Sequence, residues 1–206
     1  MVNKAELLNQ KVERLLEVWP GLLASERNPW VAKVPKDSNF YKEMTNFEGR
    51  CLFYQWLACL VTAAQPKVVV ELGADQGGSA IFILTELMEK GILYSVDTKG
   101  KEAGWSYVPD WDKRIVKLTG DDLTAQTYPP DFPWSEVDLW LLDTEHSPEQ
   151  VEKELEMIKP HLRENVVIVI HDIYLNDVVD LLKKQPWDFW EDERKVFNQG
   201  VGMFVV

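Results

Sequence analysis

Residues 68–80 read VVVELGADQGGSA, and this stretch decides the fold. Three valines lead into Glu71 and Leu72, then Gly73, Gly77, Gly78 and Ser79 follow before an apolar run begins at Ala80. A continuous apolar run is the pattern of a strand buried on both faces, as in a parallel sheet. Glycines directly after it mark a tight turn, and the apolar run beyond predicts a helix over 79–90. Working outward, the alternation repeats. ILYSVD (92–97), RIVKLTG (114–120), VDLWLLD (137–143) and NVVIVIHD (165–172) read as further strands, with helices over 148–162 and 177–184. The end of the chain, RKVF, an NQG turn and VGMFVV, reads as a hairpin. Strands alternating with helices predict an α/β fold: one doubly wound, mostly parallel, seven-stranded sheet whose last strand is antiparallel.

The first 66 residues read as a helical cap, and 67–206 as the core of the same single domain. Ala5 to Val18 carries Leu7, Leu8, Leu15 and Leu16 at helical spacing and stops before Pro20. ERNPWVAKVPKDSNFY (26–41), with two prolines and several polar turn formers, reads as an irregular surface segment. A second helix over 48–64 puts Phe53, Trp56, Leu57, Leu60 and Val61 on one face. That helical region is expected to cover the mouth of the site, and its apolar face is open to a second use as a contact in a homo-oligomer.

With 206 residues, 46% of them hydrophobic, the chain can bury one sizeable core. A formal charge of −12 argues against a nucleic-acid binder, which needs a basic face to neutralise phosphate. Cys51 and Cys59 form no CxxC and have no histidine close by in sequence, so they read as core thiols of a reducing compartment. The N-terminus lacks the apolar block of a secretory leader, and no run approaches the ~18 apolar residues of a membrane span. A cytoplasmic protein without a membrane partner is expected.

In doubly wound sheets, ligands sit at the carboxyl ends of the strands. Here those ends carry Glu71–Gly73, Asp97, Gly120–Asp122, Asp143 and His171–Asp172. Five strands that each deliver an acid to one edge are more than a structural sheet needs. The glycine spacing, G-x-x-x-G-G over 73–78, departs from the G-x-G-x-x-G that lays a pyrophosphate on a helix N-terminus. Asp75, within the turn, would repel a phosphate. Gly73 suits a turn closed to side chains, Gly77 a close approach of the ligand, and Ser79 is placed to cap the helix. Asp97, roughly 24 residues beyond Gly73, is where an acid can take both hydroxyls of a ribose. A nucleoside without phosphates fits, and S-adenosylmethionine, with its cationic sulfonium and amino groups, suits the negative charge of Glu71 and Asp75.

Glu71-x-Gly73-x-x-x-Gly77-Gly78-Ser79 with Asp97 resembles the class I S-adenosylmethionine-dependent methyltransferases, over most of the chain from Glu48 to Val206. The resemblance implies their Rossmann-like fold. TGDD (119–122) is similar to the family motif in which an Asp and its neighbour, here Asp121 and Asp122, contact adenine. LLDTEHSPEQVEKELEMIKPHLRENVVIVIHDI (141–173) resembles the branch of sugar and antibiotic-tailoring O-methyltransferases, among them the rhamnosyl and cephalosporin-hydroxylase-like proteins related to the catechol type. The implied cofactor set is Glu71, Gly73, Ala74, Asp75, Gly77, Ser79, Asp97, Asp121, Asp122 and Asp143.

Methyl transfer to oxygen needs the acceptor hydroxyl in line with the donor and deprotonated as it attacks. His146 stands where the catechol type has a basic lysine, so it is the candidate base, with Asp143 beside it as the other catalytic residue. A divalent metal such as Mg²⁺ is a second expectation, held by Asp143, His171 and Asp172. His171 departs from the carboxylate of the relatives, so either the metal is Mn²⁺, Fe²⁺ or Zn²⁺ rather than Mg²⁺, or His171 contacts substrate, or no metal is bound. Glu145 reads equally as a ligand or as a helix cap, His161 as an exposed residue near a helix end, Trp56 and Trp140 as core, and Trp105 and Trp111, in a Gly-rich loop after the second strand, as candidates to line a pocket. The expected acceptor is a small hydroxylated molecule. The rival readings are an NAD-binding oxidoreductase and a non-catalytic S-adenosylmethionine-binding protein.

Overall fold

The computed structural model describes residues 2–18, 31–36, 41–42, 50–87, 89–99, 104–192 and 199–206. Seven strands form one sheet: β1 (Val68–Leu72), β2 (Ile92–Asp97), β3 (Ile115–Thr119), β4 (Leu139–Leu142), β5 (Val167–His171), β6 (Asp188–Glu191) and β7 (Val201–Val205). Among the described residues the helices are α1 (Lys4–Val18), α2 (Arg50–Ala64), α3 (Gly78–Glu86), the single turn α4 (Trp111–Arg114), α5 (Pro148–Ile158) and α6 (Val178–Leu182).

The strand order is β3-β2-β1-β4-β5-β7-β6. The five strands β1 to β5 are parallel, and β7 runs antiparallel to both β5 and β6. The chain leaves β1 toward β2 and β3, then crosses back to place β4 on the other side of β1. That reversal puts the switch point between β1 and β4, where the carboxyl ends diverge and leave a crevice.

Alternation along each strand divides the core. Val69, Leu93, Leu139, Leu141, Val167 and Val169 face a cluster completed by α1, α2 and α3, with Trp56, Leu57, Ile81 and Phe82 buried in it. Val70, Leu72, Val96, Trp140, Ile168 and Ile170 face the opposite cluster, closed by Val151, Leu155 and Ile158 of α5 and by Tyr128 and Phe132. Trp56 and Trp140 are buried, as the sequence predicts. Cys59 is buried too; the side chain of Cys51 lies outside the described residues.

Three boundaries differ from the sequence reading. The strand paired with β7 is Asp188–Glu191, with Phe189 opposite Phe204 and Trp190 opposite Met203; RKVF (194–197) lies outside the described residues. Aromatic packing explains this choice, since the Phe189 and Phe204 rings lie 4.9 Å apart and Trp190 stacks on Trp56 at 5.7 Å. The helix after the glycine turn stops at Glu86, where Leu87 turns to extended backbone. α5 stops at Ile158 and tightens into a 3₁₀ turn over Lys159–His161, because Pro160 lacks the N–H a further α-turn needs. Of the 26–41 segment, Val31–Lys33 forms a 3₁₀ turn with Val31 buried; the parts 26–30 and 37–40 lie outside the described residues.

α1 packs along α2 and the β6 edge. Asn3 Nδ2 donates to the Phe189 carbonyl at 2.9 Å, the Lys4 amide to Asp188 at 2.7 Å, and Trp56 Nε1 to Asn9 Oδ1 at 3.0 Å. α2 runs beside α3 and brings Phe53 and Tyr54 to the carboxyl edge of the sheet. Of the two long N-terminal helices, only α2 therefore reaches the crevice with described residues.

Candidate active site

The crevice is built around a close approach of two backbones. Gly73, directly after β1, has φ +87°, and a Cβ there would fall 2.1 Å from the Asp143 carbonyl oxygen at the end of β4. A side chain is excluded at this point both by conformation and by space. Gly77 opens α3 at φ 74°, and a Cβ on Gly78 would meet the Tyr54 hydroxyl at 2.5 Å. Asp97 fastens the turn from the side: its Oδ2 accepts the Ala74 and Asp75 amides at 3.2 and 3.0 Å, and its Oδ1 accepts the Lys99 amide at 2.7 Å. Three acceptor positions of that carboxylate are filled by backbone, and its remaining capacity faces the crevice.

Beneath the turn lies Glu71, fully buried. Ser79 donates to its Oε1, and Ser95 to its Oε2 at 2.8 Å, so one carboxyl group ties β1, β2 and α3 together. Burial pushes its pKa up to about 7. Glu71 lines neither half of the crevice, and Ser79 makes no cap to α3; Gly77 holds the N-cap position without a side-chain bond.

Over β1, β2 and β3 the crevice is a cleft of about 450 Å³ lined by Asp75, Asp97, Asp121, Asp122, Asp143 and Glu145, with Lys99 as the one cation among the described residues that line it. Asp121 Oδ1 accepts the Leu123 amide at 2.9 Å. Asp122 is nearly buried, and Gln150 Nε2 donates to its two oxygens at 3.4 and 3.2 Å. Glu154, on α5 behind it, is fully buried and is pushed up to about 8 by that burial. Glu145 faces the cleft and does not cap α5; Ser147 does, accepting the Gln150 amide at 3.2 Å.

Over β4 and β5 a second cleft of about 210 Å³ is lined by Phe53, Tyr54, Ser79, His146, His171 and Asp172, and it shares Gly73, Asp75, Asp143 and Thr144 with the first. His171 Nδ1 lies 3.1 Å from Asp143 Oδ1 and 3.4 Å from Asp172 Oδ1. His146 Nε2 lies 3.5 Å from Asp143 Oδ1 and 3.8 Å from Asp172 Oδ2. The Phe53 ring covers His171 at 4.1 Å between centroids. His146 and Asp172 both hold left-handed backbone, φ 58° and 54°, and Asn176 Nδ2 braces the first by donating to the His146 carbonyl at 3.2 Å. Non-glycine residues keep such conformations only where the surroundings over-determine them, which is common at working sites.

The structure thus brings Asp143, His146, His171 and Asp172 together, but not as a cage for a cation. Asp143 Oδ1 and both Asp172 oxygens face imidazole nitrogens, and among the described residues no group of three or more His, Cys, Asp or Glu is arranged to hold a metal ion. The expected Asp143–His171–Asp172 metal triad does not fit this arrangement. Trp105 and Trp111 also depart from expectation: Trp105 is buried, Trp111 packs on the core, and Lys117 Nζ sits over their rings at 5.2 and 4.8 Å, away from both clefts. His161 stacks on Trp134 at 4.9 Å near the end of α5.

The sequence reading missed Tyr54, Thr144, Gln150 and Glu154. A signal for the last was present: in PEQVEKELEMI, Glu154 falls three residues after Val151 and beside Leu155, on the apolar stripe of the helix. An acid on a core stripe needs a buried partner.

No curated protein sequence matches this chain. Solved structures do, at low identity. The O-methyltransferase TomG of Streptomyces achromogenes, involved in tomaymycin synthesis and solved with SAM, is 15% identical, with 100% of this chain and 99% of that one covered and a TM-score of 0.65. An O-methyltransferase of Bacillus cereus in complex with SAH is 17% identical over 93% of this chain and 99% of that one, TM-score 0.58. The SAH-bound methyltransferase PaMTH1 of Podospora anserina is 15% identical over 100% and 97%, TM-score 0.61. At these identities the likeness is one of fold. A sequence model described as a methyltransferase domain matches residues 70–173, which run from within β1 past the end of β5 and hold every acid that lines the two clefts. The chain belongs to that methyltransferase-domain family.

Proposed function

We propose that this chain transfers a methyl group from S-adenosylmethionine to an oxygen of a small hydroxylated molecule. The observation that carries the reading is the charge of the cleft over the glycine turn, six carboxylates against Lys99 alone among the described residues. A sulfonium and an ammonium are favoured there, and a pyrophosphate is repelled, which sets the NAD reading aside. The solved relatives bound to SAM or SAH share the fold around this cleft.

Asp97 and Asp122 are the acceptors for the nucleoside, Asp97 for the ribose hydroxyls and Asp122 for the amino edge of the base. The Gly73 turn and Asp75 border the junction of the two clefts, where the charged end of the cofactor belongs. Bound there, S-adenosylmethionine supplies a methyl carbon on a sulfonium that leaves as a neutral thioether. The second cleft takes the acceptor against Phe53 and Tyr54. His146 Nε2 takes the proton of the acceptor hydroxyl as that oxygen attacks. The Asp143 and Asp172 carboxylates, 3.5 and 3.8 Å from Nε2, stabilise the imidazolium that results. His171, held on Asp143 and covered by Phe53, fixes the carboxylate's orientation. The imidazole–carboxylate cluster also argues against a non-catalytic binding protein, which has no use for it. No step here uses a metal.

The test is formation of S-adenosylhomocysteine from S-adenosylmethionine on screening phenols, sugars and other hydroxylated acceptors. Turnover with one class that His146→Ala removes supports the reading. Tight cofactor binding with equal turnover in His146→Ala would end the role of His146 as base.

A further inference from the structure

Behind Asp122 lies a polar group that the transfer step does not use. Glu154 is fully buried on α5. Its Oε1 accepts twice, from the Thr144 hydroxyl and from Gln150 Nε2 at 2.9 Å. Its Oε2 is buried with no hydrogen-bond donor in reach, yet the carboxyl group lies within hydrogen-bonding reach of the Asp122 carboxyl. Two ionised carboxylates cannot share a buried contact of this kind; one proton between them turns a repulsion into a strong hydrogen bond. A proton on the Glu154 carboxyl resolves the repulsion between the two groups that Gln150 Nε2 bridges, because a protonated oxygen donates to Asp122 and needs no donor itself.

We infer that Glu154 is a positioning residue, holding one proton that it donates to Asp122 so that the Asp122 carboxylate is fixed as an acceptor at the floor of the cofactor cleft. Gln150 braces the same pair, donating to Asp122 and to Glu154 from one amide. Thr144 couples the pair to the loop after β4, so the cofactor floor and the edge of the acceptor cleft share one hydrogen-bonded chain. Burial keeps the proton in place at neutral pH, as it pushes Glu154 up to about 8 and raises Asp122 as well. Among the described residues, the other titratable groups acting on the pair are Asp121 and Tyr128, whose hydroxyl donates to the Asp122 carbonyl at 2.8 Å. Neither brings positive charge.

The inference rests on the methyltransferase reading only for the ligand, and the test separates the two. In cofactor-free protein with ¹³C-labelled glutamate side chains, one carboxyl signal titrates near pH 8 and is absent from Glu154→Gln. Titrated calorimetrically with S-adenosylhomocysteine, wild type loses affinity between pH 7 and 9. Glu154→Gln, whose amide still donates to Asp122, binds within about threefold of wild type at pH 7 with a flat pH profile. Glu154→Met, which cannot donate, binds about tenfold or more weakly while melting as a folded protein. A Glu154 signal that titrates in the ordinary carboxylate range, or equal affinity in the Gln and Met variants, overturns the inference. Absence of S-adenosylhomocysteine binding in wild type with the signal near pH 8 intact would instead remove the cofactor assignment.

Discussion

The two halves of the crevice differ in kind. Over β1, β2 and β3 the walls are carboxylates set on backbone turns, with Asp97 accepting three amides and Asp122 held by Gln150. Over β4 and β5 the walls are imidazoles and aromatic rings, with His146 and His171 set against Asp143 and Asp172. The first half is built of acceptors locked in place, which is what holding a cationic nucleoside requires. The second sets imidazoles against carboxylates, which is the arrangement the proposed chemistry at a hydroxyl calls for. Gly73 and Asp143 belong to both halves. On the proposed reading, binding and reaction are neighbouring and separable.

The largest effect that tests this separation is on turnover. His146→Ala is expected to lower kcat by about 10²–10⁴-fold while S-adenosylhomocysteine affinity stays within about threefold, measured by steady-state kinetics and calorimetry. A large loss of affinity would join the two halves. Asp97→Ala is the converse. It leaves the Ala74 and Asp75 amides without their acceptor and removes the ribose contact, so cofactor affinity should fall about 10–100-fold. Gly73→Ala strikes the shared seam. Strain at φ +87° and the clash with the Asp143 carbonyl should cost about 1–3 kcal/mol of stability and lower both affinity and turnover.

A smaller effect concerns pH. Glu71 and Glu154 are raised from 4.5 to about 7 and about 8, so the folded protein holds protons that the unfolded chain releases. Their contribution to stability is complete below the ordinary carboxylate value and declines as pH rises from there through about 7 and 8. Urea unfolding across pH 5 to 9 should show that decline, and Glu71→Gln should flatten its lower part. Smallest of all is the effect of a chelator. Because the Asp143, His146, His171 and Asp172 side chains face one another, EDTA is expected to leave turnover unchanged. Loss of turnover restored by a divalent cation would show that the cluster opens around a metal.

How far the sequence carries depends on the distance over which a feature is encoded. The parallel core was legible because β1 to β5 are short apolar runs that end on acids, a local pattern. The Gly73 turn was legible because a glycine after a buried strand has few other uses. The closing hairpin was misplaced by a few residues, since Phe189 and Trp190 are chosen by Phe204 and Trp56, partners distant in sequence. Asp143, His146, His171 and Asp172 could be named from strand ends, but whether they form a cation cage or an imidazole–carboxylate cluster depends on side-chain directions that spacing does not carry. Trp105 and Trp111 sit in a stretch that reads as a loop, and burial under Lys117 could not be seen from it. Glu154 was missed although it stands on an apolar helix face; Asp122 was named from its strand end, but the pairing of the two, on different elements, is not carried by spacing.

The most direct test of the account is calorimetric titration of the folded protein with S-adenosylhomocysteine and, in parallel, NAD⁺. A cleft with six carboxylates and one lysine among the described residues predicts micromolar binding of the first and none of the second. Binding of NAD⁺ alone would contradict it, because a pyrophosphate would then be held where this structure puts negative charge.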